Sequence, residues 1–283
     1  MTQNIKYDLL KYDLHSHSYF SDGGLSPAQL VERAVESGIS HLALTDHDTV
    51  DGLPEGLAAA NKAGLQLIEG VELSCTWEGR LIHVVGLNID RSNKVLQKII
   101  KNNKQRRLTR SESMFEDFEQ NGIDIRASVI KSLHGRGVPT RPHFADALVK
   151  HGYAKDKKQA FKRYLVRGKP GYIPMLWPEL NEVGRAITAA GGVGVLAHPM
   201  RYKLTRTKLS LLIKDMVSAG IRGIEICTAN TDKQQIKMLS DLAIKFNLLA
   251  SLGSDFHSDT QPWAKLGRTQ PLPKDLTPVW EVF

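Results

Sequence analysis

The stretch Leu248–Asp259, "LLASLGSDFHSD", joins an apolar run to an aspartate and a histidine at alternate positions. It reads as a buried strand that stops by presenting Asp255 and His257 together. Polar residues are common where strands enter loops, so this pair alone decides nothing. The other apolar runs decide it, because they end in the same way. "YDLHSH" delivers His15 and His17, and the loop "SYFSDGG" behind it delivers Asp22. "HLALTDHD" delivers His47, "IEGVEL" Glu72, "LIHVVG" His83 and "VGVLAH" His198. The carboxyl ends of strands converge on one rim in a parallel α/β barrel, so these residues are expected to form a single cluster.

Helix signals separate the runs. "SPAQLVERAVESG" has Ser26 as N-cap, Pro27 at the first helical position and Gly38 as its stop. "GLPEGLAAANKAG" and "LNEVGRAITAAGG" end in glycine too, and further helices are expected near 206–219 and 231–246. Strand–helix alternation of this kind builds a parallel sheet or barrel, so the fold class is α/β. Residues 92–177 break the rhythm. "NKVLQKIIKNNKQRRLTRSESMFEDFEQNG" is one long helical run stopped by Gly122, and shorter helices are expected near 142–151 and 157–167. The expected organisation is a barrel over 1–91 and 178–283 with a helical insertion over 92–177.

The charge follows this division. The chain of 283 residues carries +8 overall, but residues 91–170 hold 20 Lys and Arg against 7 Asp and Glu. The remainder is net acidic at −5. A basic module of this kind attracts polyanions. Cys75 and Cys227 are too few for a disulfide framework or a zinc ribbon. No apolar stretch approaches the roughly 20 residues that span a bilayer, and "MTQNIKYDLLKYD" lacks the order of a signal peptide. A cytoplasmic protein with no membrane association and no obligate protein partner is expected.

Taken singly, each cluster residue has an ordinary explanation. His83 is flanked by apolar residues, as a hydrogen-bonded core histidine would be. Glu69 competes with Glu72, although a period of two puts them on opposite faces. Together they call for a partner, since burying so many polar groups unpaired is costly. Imidazole with carboxylate and no thiolate suits Mn²⁺, Fe²⁺ or Zn²⁺. Nine candidate ligands exceed the needs of one ion and suit two or three with open water positions. Such a site supplies a metal-bound hydroxide and clamps phosphoryl oxygens during in-line attack.

The motifs "DLHSHSYFSDG", "TDHDT", "GVELS", "AHP" and "GSDFH", in this order, resemble those of the polymerase and histidinol phosphatase (PHP) family. The resemblance implies a distorted (β/α)7 barrel, here with a helical insertion, and a centre of three divalent ions. Carried over position by position, one ion takes His15, His17, Glu72 and Asp255. A second takes Asp22, His47 and His257, and a third shares Glu72 and adds His83 and His198. His15, His17, Asp255 and His257 are the expected catalytic residues, acting through the metal-bound hydroxide.

The segments "TRPHFADALVKHGYAKDKKQAFKRYLVRGKPGYIP" and "GSDFHSDTQPWAKLGR" resemble the RNase AM and nucleoside 3′,5′-bisphosphate phosphatase subgroup, with Pro142 a local departure. This implies 5′→3′ exoribonuclease action on 5′-monophosphorylated RNA, including trimming of ribosomal RNA 5′ ends, and removal of the 3′-phosphate from nucleoside 3′,5′-bisphosphates. Mn²⁺ is the usual metal of the subgroup. A terminal 5′-phosphate calls for guanidinium groups, and the candidates are Arg141 with His143, and Arg106, Arg107 and Arg110 on the long helix. Lys157, Lys158, Lys162 and Arg163 are expected along the downstream RNA backbone. Phe144, Tyr172 and Trp177 are candidate base-stacking residues, although core packing is the commoner use of each. Two rivals remain at this level. One is a phosphatase of another small monoester such as histidinol phosphate, which the basic insertion disfavours. The other is a non-catalytic nucleic-acid-binding module, which the complete ligand set disfavours.

Overall fold

Seven strands follow one another around a nearly closed barrel. In the computed structural model, which describes residues 11–133, 135–261 and 263–283, the first four are β1 Tyr12–Asp13, β2 His41–Leu44, β3 Gln66–Trp77 and β4 Arg80–Leu87. β5 Val193–Leu196, β6 Gly223–Thr228 and β7 Leu249–Gly253 complete it. Each strand pairs with its neighbour in sequence. Leu14 N–H donates to Leu252 O at 3.1 Å and Asp255 N–H to His15 O at 2.9 Å, so the last strand lies against the first.

The barrel is not wholly parallel, as strand–helix alternation had suggested. β3 and β4 form an antiparallel hairpin, and β4 also runs antiparallel to β5. The cause is a two-residue turn, Glu78-Gly79, with φ of 46° and 69°. Positive φ at both positions marks the tight hairpin turn whose twist matches its strands. β4 therefore distorts the barrel, and it brings His83 to the rim from the first half of a reversed strand.

Helices α1 Pro27–Glu36, α2 Leu53–Ala63, α7 Leu180–Ala189, α8 Arg206–Ser218 and α9 Lys233–Phe246 connect barrel strands. The cap of α1 forms as its sequence indicates. Gln29 N–H donates to Ser26 Oγ at 3.0 Å and Ser26 N–H to Gln29 Oε1 at 2.9 Å. Between β4 and β5 lie α3 Lys94–Gln120, α4 Arg126–Ser132, α5 Arg141–Lys150 and α6 Lys157–Ala160, which passes into a π turn over Phe161–Leu165.

Among the described residues there are two apolar cores. The larger fills and surrounds the barrel with residues such as Leu14, Leu44, Leu73, Val84, Leu196, Ile224 and Ala250. The smaller gathers Met114, Phe115, Phe118, Val129, Phe144, Leu148 and Leu165. Helix α3 serves both. Its 27 residues extend about 40 Å, with Leu96, Ile99 and Ile100 on the barrel and Met114, Phe115 and Phe118 in the second core. Phe144 is fully buried there, 4.8 Å from Phe115 between ring centres, so packing is its use. Trp177 is likewise buried. Among the described residues no helix is long and apolar enough to cross a membrane.

Candidate metal centre

Close approach of β7 to β1 starts the site. A Cβ on Gly253 would lie 2.4 Å from His15 Cβ and 2.7 Å from His15 N, so no larger residue fits there. The chain then turns sharply at Asp255, whose φ is 52°. Asp48 and His198, at the ends of other strands, also take left-handed φ values of 52° and 32°. Such conformations cost energy at non-glycine residues and persist where surrounding structure enforces them. Phe256 turns back into the core between Asp255 and His257.

Glu72, fully buried, lies at the centre. Its Oε1 is 3.0 Å from His83 Nδ1 and 2.9 Å from His198 Nε2. Its Oε2 is 2.8 Å from His47 Nδ1 and 3.4 Å from both His15 Nε2 and His17 Nε2. Asp255 Oδ1 stands 3.1 Å from His17 Nε2 and 3.4 Å from His15 Nε2. Asp22 faces His257 Nε2 at 3.3 Å and His47 Nε2 at 3.8 Å. All nine residues singled out in the sequence thus lie in one cluster. Among the described residues three overlapping groups have the spacing to hold a cation: His15, His17 and Glu72; His17, Asp22, His47 and His257; and His47, Glu72 and His83. His17 and His47 each belong to two groups, where the family pattern assigns each to one.

The donor set fits divalent cations. His15 Nε2, Asp22 Oδ1, His47 Nδ1, Glu72 Oε2 and His198 Nδ1 are buried without a hydrogen-bond partner among the described residues, and orphaned polar atoms are rare in native interiors. Burial, reinforced by the neighbouring His257 and His47 rings, holds His17 at about 3. Burial also depresses His83 to about 4. At His257 burial opposes protonation, but the Asp22 and Asp255 carboxylates outweigh it and lift the ring to about 9. Burial alone would raise Asp22, Glu72 and Asp255, yet the imidazoles facing them keep all three well below the ordinary carboxylate range. Ionised carboxylates beside neutral His17 and His83 suit a cation, while His15, His47 and His257, raised by the same carboxylates, would give up their protons to it.

The family model for the PHP domain matches residues 13–165. That match covers more than half the chain and includes the first six residues of the cluster. The chain belongs to the PHP family. A 5′–3′ exoribonuclease of Haemophilus influenzae is 41% identical over 273 residues, 96% of this chain and 99% of that protein. A 3′,5′-nucleoside bisphosphate phosphatase of Chromobacterium violaceum is 37% identical, over 95% of this chain and 94% of its own length. A solved structure of an amidohydrolase from Chromobacterium violaceum, with bound sulfate and no metal, superposes with a TM-score of 0.91 at 36% identity. It covers 96% of this chain and 95% of its own.

Around the PHP centre stands a second ring of polar residues that had not been singled out as ligands. Glu225 on β6 is buried, with Oε1 2.7 Å from His15 Nδ1, and its Oε2 accepts from His198 N–H at 2.5 Å. A carboxylate there keeps the His15 proton on Nδ1 and leaves Nε2 free to face Glu72 and Asp255. The sequence signal was a lone carboxylate inside the apolar strand "GIEIC". Arg201, just past His198, pairs with Asp255 Oδ2. Asp46 accepts from Ser18 N–H at 2.7 Å and from the Ser18 and Ser21 hydroxyls at 2.6 Å each, which holds the His17–Asp22 loop.

The arginines expected to meet substrate part company. Arg107 is committed to Asp48. Its Nε donates to Asp48 Oδ2 at 2.7 Å, and its second terminal nitrogen lies 2.6 Å from the same oxygen and 3.0 Å from Ser74 Oγ. Asn103 Nδ2 donates to Asp48 Oδ1 at 2.6 Å, so this network fastens α3 to the rim beside His47. Arg110, Arg141 and Arg106 have no carboxylate partner among the described residues. Arg110 is pressed down to about 10 by burial and by Arg141 and Arg107 beside it. Burial and Arg107 lower Arg141 as well, and Asp22 is within its electrostatic reach. His143 accepts Thr140 N–H at 3.1 Å through Nδ1, which puts its proton on Nε2. Pro142 sits in the first turn of α5, where its missing N–H costs nothing. His143, Asp22, Asp255, His257 and Arg201 all line one open cleft of about 1160 Å³ between rim and insertion.

Proposed function

We propose that this chain is a metal-dependent 5′→3′ exoribonuclease acting on 5′-monophosphorylated RNA, which also removes the 3′-phosphate of nucleoside 3′,5′-bisphosphates. The observation that carries this reading is the pair of neighbouring, partly buried guanidiniums, Arg110 and Arg141, which have no carboxylate partner among the described residues, with Arg141 within electrostatic reach of Asp22 in the carboxylate–imidazole centre. Like charges held side by side and partly out of water call for an anion to offset them. The full-length relatives that carry the two activities support the same reading.

In this reading the nine rim residues hold three divalent cations, with Mn²⁺ favoured by an imidazole and carboxylate donor set free of thiolate. When bound, the ions supply an activated water and neutralise the phosphoryl oxygens. Glu72 and His17 bridge the groups, Glu225 fixes the His15 tautomer, and Arg201 stands over Asp255 with donors facing the cleft. Arg141, Arg110 and His143 grip a terminal 5′-phosphate one nucleotide away, with Arg106 close on the same helix. A bisphosphate nucleotide then places its 3′-phosphate over the centre. Adding a downstream nucleotide makes that phosphate the first diester of an RNA, so one geometry serves both substrates and steps by single nucleotides. Lys158, Lys162 and Arg163, exposed on the insertion, hold the downstream backbone. Arg107 is a positioning residue here, bound to Asp48 rather than to phosphate. The division into barrel over 1–91 and 178–283 and insertion over 92–177 belongs to this reading, as does a cytoplasmic location.

Incubating the protein and Mn²⁺ with adenosine 3′,5′-bisphosphate, and separately with histidinol phosphate, tests it. The expected products are inorganic phosphate and adenosine 5′-monophosphate from the first, with little release from the second. Preferential turnover of histidinol phosphate would point instead to a small-monoester phosphatase.

A further inference from the structure

Of the four tryptophans in the chain, three are placed in packing roles. Trp77 is buried and donates from Nε1 to Asp215 Oδ2 at 2.8 Å. Trp177 is buried, and Trp280 stacks on Tyr12 with ring centres 4.0 Å apart. Trp263 differs. It is 57% exposed, and it lines the same cleft as Asp22, Asp255, His257 and His143.

Its position is built by the loop that carries the metal-centre residues. Gln261 N–H donates to Ser258 O and Ala264 N–H to Gln261 O, each at 3.1 Å. Arg33 pairs with Asp259 on the outer side of the loop. Ala264 and Leu266, buried at 1% and 3%, pin the chain directly after Trp263. A large aromatic face is therefore held in water, on a loop anchored at both ends, within the substrate cleft. Leaving such a surface exposed forgoes its burial, and a nucleobase is the flat apolar surface that the cleft's substrate brings to it.

We propose that Trp263 is a stacking platform for the base of the terminal nucleotide, the one whose 5′-phosphate is gripped and whose 3′-phosphate is attacked. The proposal rests on the nucleotide reading of the site. Stacking on an aromatic face is tolerant of base identity, so Trp263 strengthens binding of any nucleotide and discriminates against phosphates that carry no base.

The test compares wild type, Trp263→Ala and Trp263→Phe on adenosine 3′,5′-bisphosphate and on the corresponding 3′,5′-bisphosphate of a base-less deoxyribose analogue. Trp263→Ala is expected to raise KM for the adenosine substrate about fivefold or more, with kcat retained and KM for the base-less substrate unchanged. Trp263→Phe restores most of the loss. Equal effects on both substrates, no effect on either, or an effect on RNA alone would overturn the proposal, the last because it places the downstream base on Trp263. Quenching of tryptophan fluorescence by adenosine 5′-monophosphate, present in wild type and lost in Trp263→Phe, reads the stacking without turnover. Absent turnover with quenching intact would count against the assigned activity, and turnover without quenching against the stacking.

Discussion

Glu225→Gln separates the part of the centre that holds ions from the part that orients the holders. Glu225 Oε1 lies 2.7 Å from His15 Nδ1, and Oε2 accepts the His198 N–H. A glutamine has the same size and keeps one acceptor, but its other terminus is an NH₂ donor. If the carbonyl stays on His198 N–H, the NH₂ faces His15 Nδ1 and turns that nitrogen into an acceptor. The His15 proton then moves to Nε2, which stands 3.4 Å from both Glu72 Oε2 and Asp255 Oδ1. A protonated Nε2 cannot bind a cation. If the glutamine turns the other way, the His198 N–H loses its acceptor. Either outcome removes support from a ligand, and loss of such outer hydrogen bonds costs about 10- to 100-fold in metal affinity, or about 1.4–2.7 kcal/mol. Titrating Mn²⁺ against a competing chelator measures it directly. The rise in Tm on adding Mn²⁺ should shrink in the variant, while the Tm in chelator stays close to wild type. Unchanged Mn²⁺ affinity would refute the tautomer role of Glu225.

Other perturbations follow from particular contacts. Gly253→Ala drives a methyl group into His15 and should cost about 1–3 kcal/mol in chemical denaturation, with activity falling because β1 and β7 separate. Arg107→Met leaves Asp48 buried without its counter-charge, so a stability loss of about 3–5 kcal/mol is expected. Arg141→Met removes one of two mutually repelling guanidiniums and should leave Tm nearly unchanged. Its preference for 5′-phosphorylated over 5′-hydroxyl RNA should fall about 10- to 100-fold, the worth of charge-assisted hydrogen bonds to one phosphate. Activity on long RNA should fall more steeply with salt than activity on adenosine 3′,5′-bisphosphate, and equal slopes would remove the basic face of the insertion from the RNA path.

The strands, the helices other than α4 and the nine rim residues were legible because each rests on a local signal, which Arg126–Ser132 lacks with no N-cap side-chain hydrogen bond. Ser26 with Pro27 starts α1, Gly64 stops α2, and apolar runs ending in His or Asp mark the rim. The direction of β4 was not read, since alternation looks the same in either sense. Its only signal was "EG" between two apolar runs, where Glu78 has to take a left-handed φ. Glu225 and the Asp48–Arg107 pair stayed hidden for a different reason. They are partners across β6 and β1, or across α3 and the rim, and no spacing in the chain records such pairings. The same holds for Arg110 and Arg141, separated in sequence and joined only by how α3 and α5 pack around Phe115, Phe118 and Phe144.

A 5′-phosphate pocket one nucleotide from a metal centre would make the protein work inward from a phosphorylated 5′ end. The most direct measurement incubates the protein and Mn²⁺ with one RNA sequence bearing either a 5′-monophosphate or a 5′-hydroxyl, and resolves the products over time. The expected result is 5′-mononucleotides released one at a time from the phosphorylated RNA, with the 5′-hydroxyl RNA left intact. Equal degradation of both, or internal fragments from either, would contradict it.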